Sequence, residues 1–221
     1  CISSAASDVY KRQMRSHRGP NSHNLQAAEG PDTDMLGRPQ VQWLLDGLKR
    51  SRATWKLIAS DMPISLFVPD GKDAEGRAQW EAVANGEHGA PRGRELEMAR
   101  LLKGIKDAGI RNVVWLTADV HYTAAHHFSP ERASFQDFDP FWEFVSGPLN
   151  AGGFGPNEMD KTFGGEVVFQ KSAGHANSAP SEGFQFFGQL DIDHRSQALT
   201  VVLKDLDGKA LYTKTLEPQR S

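Results

Sequence analysis

Two short apolar runs separated by a helical pattern place the strongest constraint on the fold of this chain. Trp55–Ala59 and Asn112–Ala118 have the length of strands and are almost continuously apolar, as expected for strands covered on both faces. Between them, Arg94–Ala108 carries apolar residues at helical spacing and is followed by Gly109, a typical helix C-cap. Together these runs predict a parallel βαβ-like unit.

Further elements flank this unit. Pro39–Lys49 predicts a helix that begins at a proline, and Phe141–Val145 predicts another strand in an aromatic-rich stretch expected to lie in the core. The chain ends with strand-like runs separated by polar turns, at Phe184–Ile192, Leu199–Leu206 and Ala210–Leu216. These runs predict a β-meander, so the fold class is α/β (α+β).

Composition narrows the function classes. The 221 residues include 38% hydrophobic and 24% charged residues, values typical of a globular protein. A net charge of −3 with interspersed signs offers no basic stripe for a nucleic-acid backbone, whereas a small anionic substrate needs only a local positive centre. No apolar run approaches the roughly 20 residues of a membrane span. Cys1 is the single cysteine, so an internal disulfide is excluded. The oligomeric state is not determined by these features.

The first residues have a composition unlike the rest. Ser3–Gln13 (SSAASDVYKRQ) resembles the translation of a sequencing-adapter end. We therefore assign residues 1–13 to a scar that makes no core contacts and residues 14–221 to the protein domain, with a polar native terminus as the alternative.

The strongest candidate site follows the second buried strand. Asp119 and His121 stand at the carboxyl end of that strand, where α/β sheets place their sites, and an extended backbone would turn both side chains to one face. A carboxylate and an imidazole can bind one metal or two adjacent metals. Asp61 ends the other strand and is expected at the same edge. The alternatives are a surface loop with a capping aspartate and a carboxylate that caps a turn.

His126 and His127 follow closely and are candidates for acid/base or phosphate contact. Adjacent residues point in different directions, so at most one is expected to face the site, and the alternative for each is a structural histidine. The long segment Met62–Gly93 could cover the same edge through Trp80, Asn85 and Arg92. Motifs for a serine or cysteine nucleophile and for a Walker loop are absent, and the glycine-rich 152–155 stretch is interpreted as a turn.

Six segments together carry a resemblance to a known family. They are LGRPQVQWL (36–44), ATWKLIASDMP (53–63), GRELEMARLL (93–102), NVVWLTADVHYTAAHHF (112–128), FWEFVSGPLNAGGFGP (141–156) and SEGFQFFGQL (181–190). The chain resembles the alkaline phosphatase D (PhoD-like) branch of the calcineurin-like metallophosphoesterases. The resemblance implies a two-sheet sandwich flanked by helices, with Asp119 and His121 as metal ligands. It also implies divalent or trivalent metal ions, iron with calcium, hydrolysis of phosphate mono- or diesters, and a periplasmic or extracellular location.

The family's earlier ligand blocks have no counterpart before Leu36. We therefore expect the chain to represent the C-terminal half of the catalytic domain and to be essentially inactive alone, because two ligands do not complete a coordination sphere. Two other functions stay open, a non-catalytic β-sandwich interaction module and a metal-dependent hydrolase of other esters.

Overall fold

The computed structural model describes residues 7–11 and 17–219. Within these ranges the α-helices are α1 (Arg38–Arg50) and α2 (Arg94–Asp107), and short 3-10 helices span Pro31–Thr33, Pro130–Arg132 and Pro180–Glu182. The strands are β1 (Ser7–Lys11), β2 (Trp55–Ala59), β3 (Pro69–Lys72), β4 (Ala78–Trp80), β5 (Val113–Thr117), β6 (Thr123–Phe128), β7 (Phe141–Val145), β8 (Gly165–Lys171), β9 (Phe186–Ile192), β10 (Leu199–Asp205) and β11 (Ala210–Leu216).

The larger sheet contains six strands in the order β1-β2-β5-β7-β6-β8. The first four of these strands run parallel, and β6 and β8 add antiparallel pairs at one side. β2 and β5 pair from Lys56 opposite Val113 to Ala59 opposite Leu116. The predicted βαβ unit is therefore confirmed, with α2 in the crossover between its two strands.

The meander forms a second, antiparallel sheet in the order β11-β10-β9. Leu199, Val201 and Leu203 on β10 share one buried cluster with Leu57 on β2 and Phe144 on β7. Burial of these side chains joins the two sheets face to face, since apolar area removed from water is the main favourable contribution to such packing. The predicted two-sheet sandwich is confirmed.

The two helices cover the other face of the six-stranded sheet. Val41 and Leu44 of α1 and Leu101 of α2 are fully buried and belong to one cluster with Ile58 and Trp115 from the sheet. The alternation of strand residues explains this arrangement, because Leu57 and Ile58 point to opposite faces. Both faces of β2 and β5 are thus covered, as their continuous apolar sequences predict.

A buried arginine organises the loops around the start of α2. The Arg94 guanidinium is fully buried and donates hydrogen bonds to main-chain carbonyls of two loops. The accepting residues are Gly19, Pro20, Trp80, Glu81 and Ala82, at 2.9 to 3.2 Å. Burial, together with the nearby charge of Arg18, lowers the pKa of Arg94 to about 10. Arg94 therefore stays charged at neutral pH and links the partly buried main-chain carbonyls of these two segments.

Part of the segment assigned to a scar takes part in the fold. β1 pairs in parallel with β2, with Ser7 opposite Trp55 and Lys11 opposite Ala59. An exposed edge strand can pair through its backbone whatever its side chains are, so the expectation that the 3–13 segment makes no core contacts stays a prediction. Residues 3–6 and 12–13 lie outside the described residues, and the origin of the segment stays a prediction.

Besides β1, four strands have no counterpart in the sequence prediction. β6 and β8 complete the larger sheet, and β3 and β4 form a hairpin within the long segment before α2. β6 has the sequence TAAHHF, whose small and polar residues lack a strand-like apolar pattern, although five of its six residues are buried. Tertiary contacts rather than local propensity determine these strands.

Candidate functional site

The carboxyl ends of β2 and β5 meet at one edge of the sheet. Beyond the strand pairing, Ser60 N donates to Leu116 O at 2.9 Å and Ala118 N donates to Asp61 O at 3.0 Å. Asp61 is therefore bonded to the residue that precedes Asp119. The prediction that these two acidic residues lie at the same edge is confirmed, which is the position at which open α/β sheets bind ligands.

The backbone after β5 is strained. Asp119 and His121 have φ values of 64° and 61°, in the left-handed region that non-glycine residues rarely adopt. Val120 N donates to Ala118 O at 2.8 Å, which closes a tight γ-turn around Asp119. The expectation of an extended Asp119–His121 segment is therefore wrong. Residues in such conformations cost about 1–3 kcal/mol each and are concentrated at functional sites.

The interior holds this turn in place through Val120. Its side chain is buried in a small cluster with Leu66, Tyr122 and Val145, whereas the residues on either side of it remain partly exposed. The chain thus fixes the middle residue in the core and leaves the two polar side chains accessible at the edge of the sheet.

Main-chain groups of the glycine-rich stretch fix His121. Its Nδ1 lies 2.7 Å from the carbonyl oxygen of Gly152, and a carbonyl only accepts, so Nδ1 carries the proton. Phe154 N donates to His121 O at 3.2 Å, and the Phe154 ring meets the imidazole edge-on with centroids 5.3 Å apart. Nε2 is therefore the ring nitrogen with a lone pair, the form in which histidine binds metals.

Asp119 and His121 line a cleft of about 590 Å³. The opposite wall comes from Val68 and Glu81 of the long segment before α2, and His175 lies at the rim. A cavity of about 700 Å³ at the other edge of the sheet is larger, but it is lined by residues such as Lys56 and Asn112 at the starts of β2 and β5 and contains none of the predicted site residues. We therefore place the candidate site in the smaller cleft.

His126 is a buried structural partner of Glu143. Both side chains are fully buried, and His126 Nδ1 lies 2.8 Å from Glu143 Oε2. The other carboxylate oxygen of Glu143 accepts the Ile64 N–H at 2.9 Å. His126 is not among the residues that line the cleft. The proposed catalytic role of His126 therefore has no support from its position.

His127 points away from its neighbour, as the alternation of a strand requires. Its ring packs against Trp142 with the ring centroids 4.8 Å apart and the planes tilted by 44°, and Arg132 Nη2 lies 3.3 Å from Nδ1. Burial and the adjacent Arg132 charge lower the pKa of His127. The structure does not bring His127 to the cleft either.

Tyr122 and Thr123 are also structural. The Tyr122 hydroxyl accepts the Asn157 N–H at 3.3 Å, and burial raises the pKa of this phenol to about 12. Thr123 donates to Val145 O at 2.9 Å. The polar residues after β5 therefore do not form the predicted acid/base environment, because β6 carries most of them into the interior.

The chemistry of the donors fits a metal, but the described residues supply only part of a coordination sphere. Asp119 and Asp61 offer carboxylates, and His121 offers Nε2, a donor set typical of divalent and trivalent cations. Within residues 7–11 and 17–219, no three His, Cys, Asp or Glu side chains come together in a group able to hold a metal ion. In the same ranges no helix is long and apolar enough to cross a membrane.

Sequence reasoning missed two residues of the cleft, Phe154 and His175, and also Gly152, whose carbonyl lies 2.7 Å from His121 Nδ1. Gly152 and Phe154 belong to the stretch that was interpreted as a turn, and His175 lies in a polar loop without periodicity. The repeated glycines were the available signal, since glycine allows a close approach of backbone to a neighbouring group. Of the residues expected to cover the edge, Asn85 and Arg92 instead donate hydrogen bonds to the Glu95 carboxyl, Asn85 through its side chain and Arg92 through its main-chain N–H.

These features define a class of proteins: a sandwich of two sheets flanked by helices, with an aspartate and a histidine after a central parallel strand. A model of the family described as PhoD-like phosphatase matches residues 7–203. The chain therefore belongs to the PhoD-like phosphatase family, which confirms the resemblance seen in its sequence.

Two known proteins show how much of a relative the chain covers. It is 29% identical over 158 residues to alkaline phosphatase D of Bacillus subtilis (strain 168), a match that spans 68% of this chain and 25% of the relative. A solved structure titled "Structure of PhoD" superposes with a TM-score of 0.54 at 17% identity, over 98% of this chain and 43% of that chain. At that identity the structural likeness supports the fold alone.

Proposed function

We propose that this chain contributes Asp119 and His121 as metal ligands to a site that hydrolyses phosphate mono- or diesters. The observation that carries the proposal is the strained turn at the end of β5, with φ near 60° at both residues and the His121 ring held by a carbonyl. Membership of the PhoD-like phosphatase family supports the reaction class. Asp61, bonded through its carbonyl to Ala118, is a further candidate ligand at the same edge.

A bound metal would neutralise phosphoryl charge and lower the pKa of a coordinated water. The residues of this chain would bind the metal and hold its ligands in the required orientation. The carboxylate of Asp119 supplies a hard oxygen donor, and the Gly152 carbonyl keeps the proton of His121 on Nδ1 so that Nε2 is available. By family resemblance we propose iron with calcium as the metals, a small phosphoester as the substrate, and a location outside the cytoplasm.

Metal binding is the primary test, because two ligands alone predict weak binding and little turnover. The purified chain is titrated with Co²⁺, and bound metal is measured for the wild type, Asp119→Ala, His121→Ala and His127→Ala. We expect the first two substitutions to weaken binding by at least about 10-fold, the lower end of the cost of losing a supporting residue of a metal site. His127→Ala is the matched histidine control and should leave binding unchanged.

Turnover separates the alternatives. The chain is assayed at high concentration on an aryl phosphate and an aryl carboxylate ester, beside the Bacillus relative as a positive control. Slow, metal-dependent cleavage of the phosphate that is abolished by His121→Ala supports the proposal. Preference for the carboxylate ester favours a hydrolase of other esters. If the wild type neither binds Co²⁺ nor cleaves either compound, the proposal is wrong and a non-catalytic interaction module remains.

A further inference from the structure

His121 is held by an arrangement that extends well beyond its own turn. Two main-chain hydrogen bonds of opposite direction join it to the glycine-rich stretch: Nδ1 donates to Gly152 O at 2.7 Å, and Phe154 N donates to His121 O at 3.2 Å. The Phe154 ring closes the third side of the imidazole at 5.3 Å. The ring therefore cannot rotate without breaking a hydrogen bond and losing an aromatic contact.

A second segment fixes the Gly152 carbonyl, which accepts the hydrogen bond from His121 Nδ1. Gly153 and Ser178 exchange two backbone hydrogen bonds, Gly153 N to Ser178 O at 3.0 Å and Ser178 N to Gly153 O at 3.1 Å. A Cβ on Gly152 would lie 2.3 Å from Asn177 Oδ1, closer than any real contact. Asn177 itself has a φ of 55°, a conformation that asparagine tolerates better than most residues. A methyl group at position 152 would therefore require the exposed Asn177 side chain to move and its main chain, 3.3 Å away, to shift slightly.

We propose that residues 152–154 and 177–178 form a clamp that fixes the tautomer and orientation of His121, with Gly152 as the positioning residue. The effect of this clamp on metal binding rests on the proposed function. The effect on the His121 tautomer does not, because it follows from the hydrogen bond to Gly152 alone. An unrestrained neutral imidazole in water favours the proton on Nε2, whereas the Gly152 carbonyl requires it on Nδ1. The clamp thus leaves the Nε2 lone pair available before any metal arrives.

The tautomer is measured directly in the metal-free protein by long-range ¹H–¹⁵N correlation of the histidine rings, at a pH where the His121 ring is neutral. We expect His121 to carry its proton on Nδ1 in the wild type. A wild-type ring protonated on Nε2, or exchanging freely between the two forms, overturns the proposal without any variant.

Gly152→Ala should then loosen the ring, because the new methyl group pushes against Asn177 and so against the 177–178 segment that bonds Gly153. Its expected result is loss of the Nδ1–H form and at least about 10-fold weaker broadening of the His121 resonances by Co²⁺, as for other supporting residues of metal sites. Gly30→Ala is the matched control, since a methyl group on Gly30 would have no neighbour within 4 Å and the residue has no positive φ. Equal behaviour of the two variants refutes the clamp.

A double variant tests the route of the effect. Gly152→Ala combined with Asn177→Gly removes Oδ1, the atom closest to the new methyl, and glycine suits the φ of 55° at position 177. We expect the Nδ1–H form to return in the double variant. Failure to return would show that the methyl group does not act through its contact with Asn177, which contradicts the proposed role of the 177–178 segment. A fixed tautomer in a chain that does not bind Co²⁺ would instead leave the clamp intact and reject the proposed function.

Discussion

Glu95 provides the most quantitative test of the electrostatics of this fold. The residue lies in the first turn of α2, and its side chain is fully buried. Asn85 Nδ2 and the Arg92 N–H donate to its Oε2 at 2.8 and 3.1 Å. The carboxyl of Asp160, also fully buried, lies beside it. Burial first, and then the neighbouring Asp160 carboxylate, raise the pKa of Glu95 to about 9.

The charged surroundings of this pair are few. Asp160 Oδ2 accepts the Thr162 N–H at 3.1 Å, and Asp160 Oδ1 lies 3.4 Å from His88 Nδ1. His88 in turn lies 3.5 Å from Glu158 and is partly exposed. No buried cation therefore neutralises Glu95 directly among the hydrogen bonds and ion pairs of the described residues, and the acid stays protonated because an ionised carboxylate there would be poorly compensated.

The sign of the pH dependence follows from the two states. The folded pKa of about 9 lies above the unfolded value of 4.5, so the folded protein binds more protons between these limits. The contribution of Glu95 to stability is complete below pH 4.5 and declines as the pH rises towards about 9. Each pKa unit corresponds to roughly 1.4 kcal/mol, so the loss across the window amounts to several kcal/mol.

Glu95→Gln should remove this dependence, because the amide keeps the shape and the hydrogen-bond acceptor but does not ionise. The free energy of unfolding is measured by urea denaturation at pH 5, 7 and 9 for the wild type, Glu95→Gln and the exposed control Glu87→Gln. We expect the stability of Glu95→Gln relative to the wild type to rise by several kcal/mol from pH 5 to pH 9, while Glu87→Gln follows the wild type. Parallel profiles for the wild type and Glu95→Gln would refute the reasoning.

Two substitutions test the packing around the site. Arg94→Met should lower the free energy of unfolding by about 3–5 kcal/mol, because it removes the donor of several partly buried loop carbonyls. The substitution of an exposed arginine, Arg52→Met, should have little effect in the same urea titration. A similar loss of stability in both variants would contradict this role of Arg94. Gly155→Ala should destabilise by about 1–3 kcal/mol more than Gly208→Ala. Both glycines have φ near 80°, but only at Gly155 would a Cβ meet the Tyr122 ring, at 2.5 Å, so equal melting temperatures would refute the steric argument.

The sequence predicts those parts of the fold in which local pattern and tertiary environment agree. β2 and β5 are apolar on both faces because both faces are covered, and α1 and α2 carry apolar residues at the spacing of a helix that packs on a sheet. Their positions follow directly from periodicity. The βαβ topology then places Asp61 and Asp119 at one edge, because parallel strands end at the same side of a sheet.

The rest depends on contacts that sequence spacing does not reveal. His126 is buried with its Nδ1 hydrogen-bonded to Glu143 on a neighbouring strand, whereas His127 faces the opposite way and packs on Trp142. The two adjacent histidines therefore point in different directions, as their spacing predicts, but neither of them lines the cleft. Glu95 and Asp160 are likewise far apart along the chain, and only folding brings their carboxyls together.

The sequence locates Asp119 and His121 but does not predict the backbone conformation of their turn, which is nevertheless stable in the fold. Neither residue is a glycine, so the amino-acid sequence does not predict φ values near 60° at these positions. The local cost of about 1–3 kcal/mol per residue is of the same order as the stabilisation from burying one valine side chain, which Val120 supplies between them. The hydrogen bonds of His121 to Gly152 and Phe154 add to that stabilisation. The strain thus persists because a buried side chain and two hydrogen bonds hold the turn, and the same contacts keep Nε2 of His121 available at the edge of the cleft.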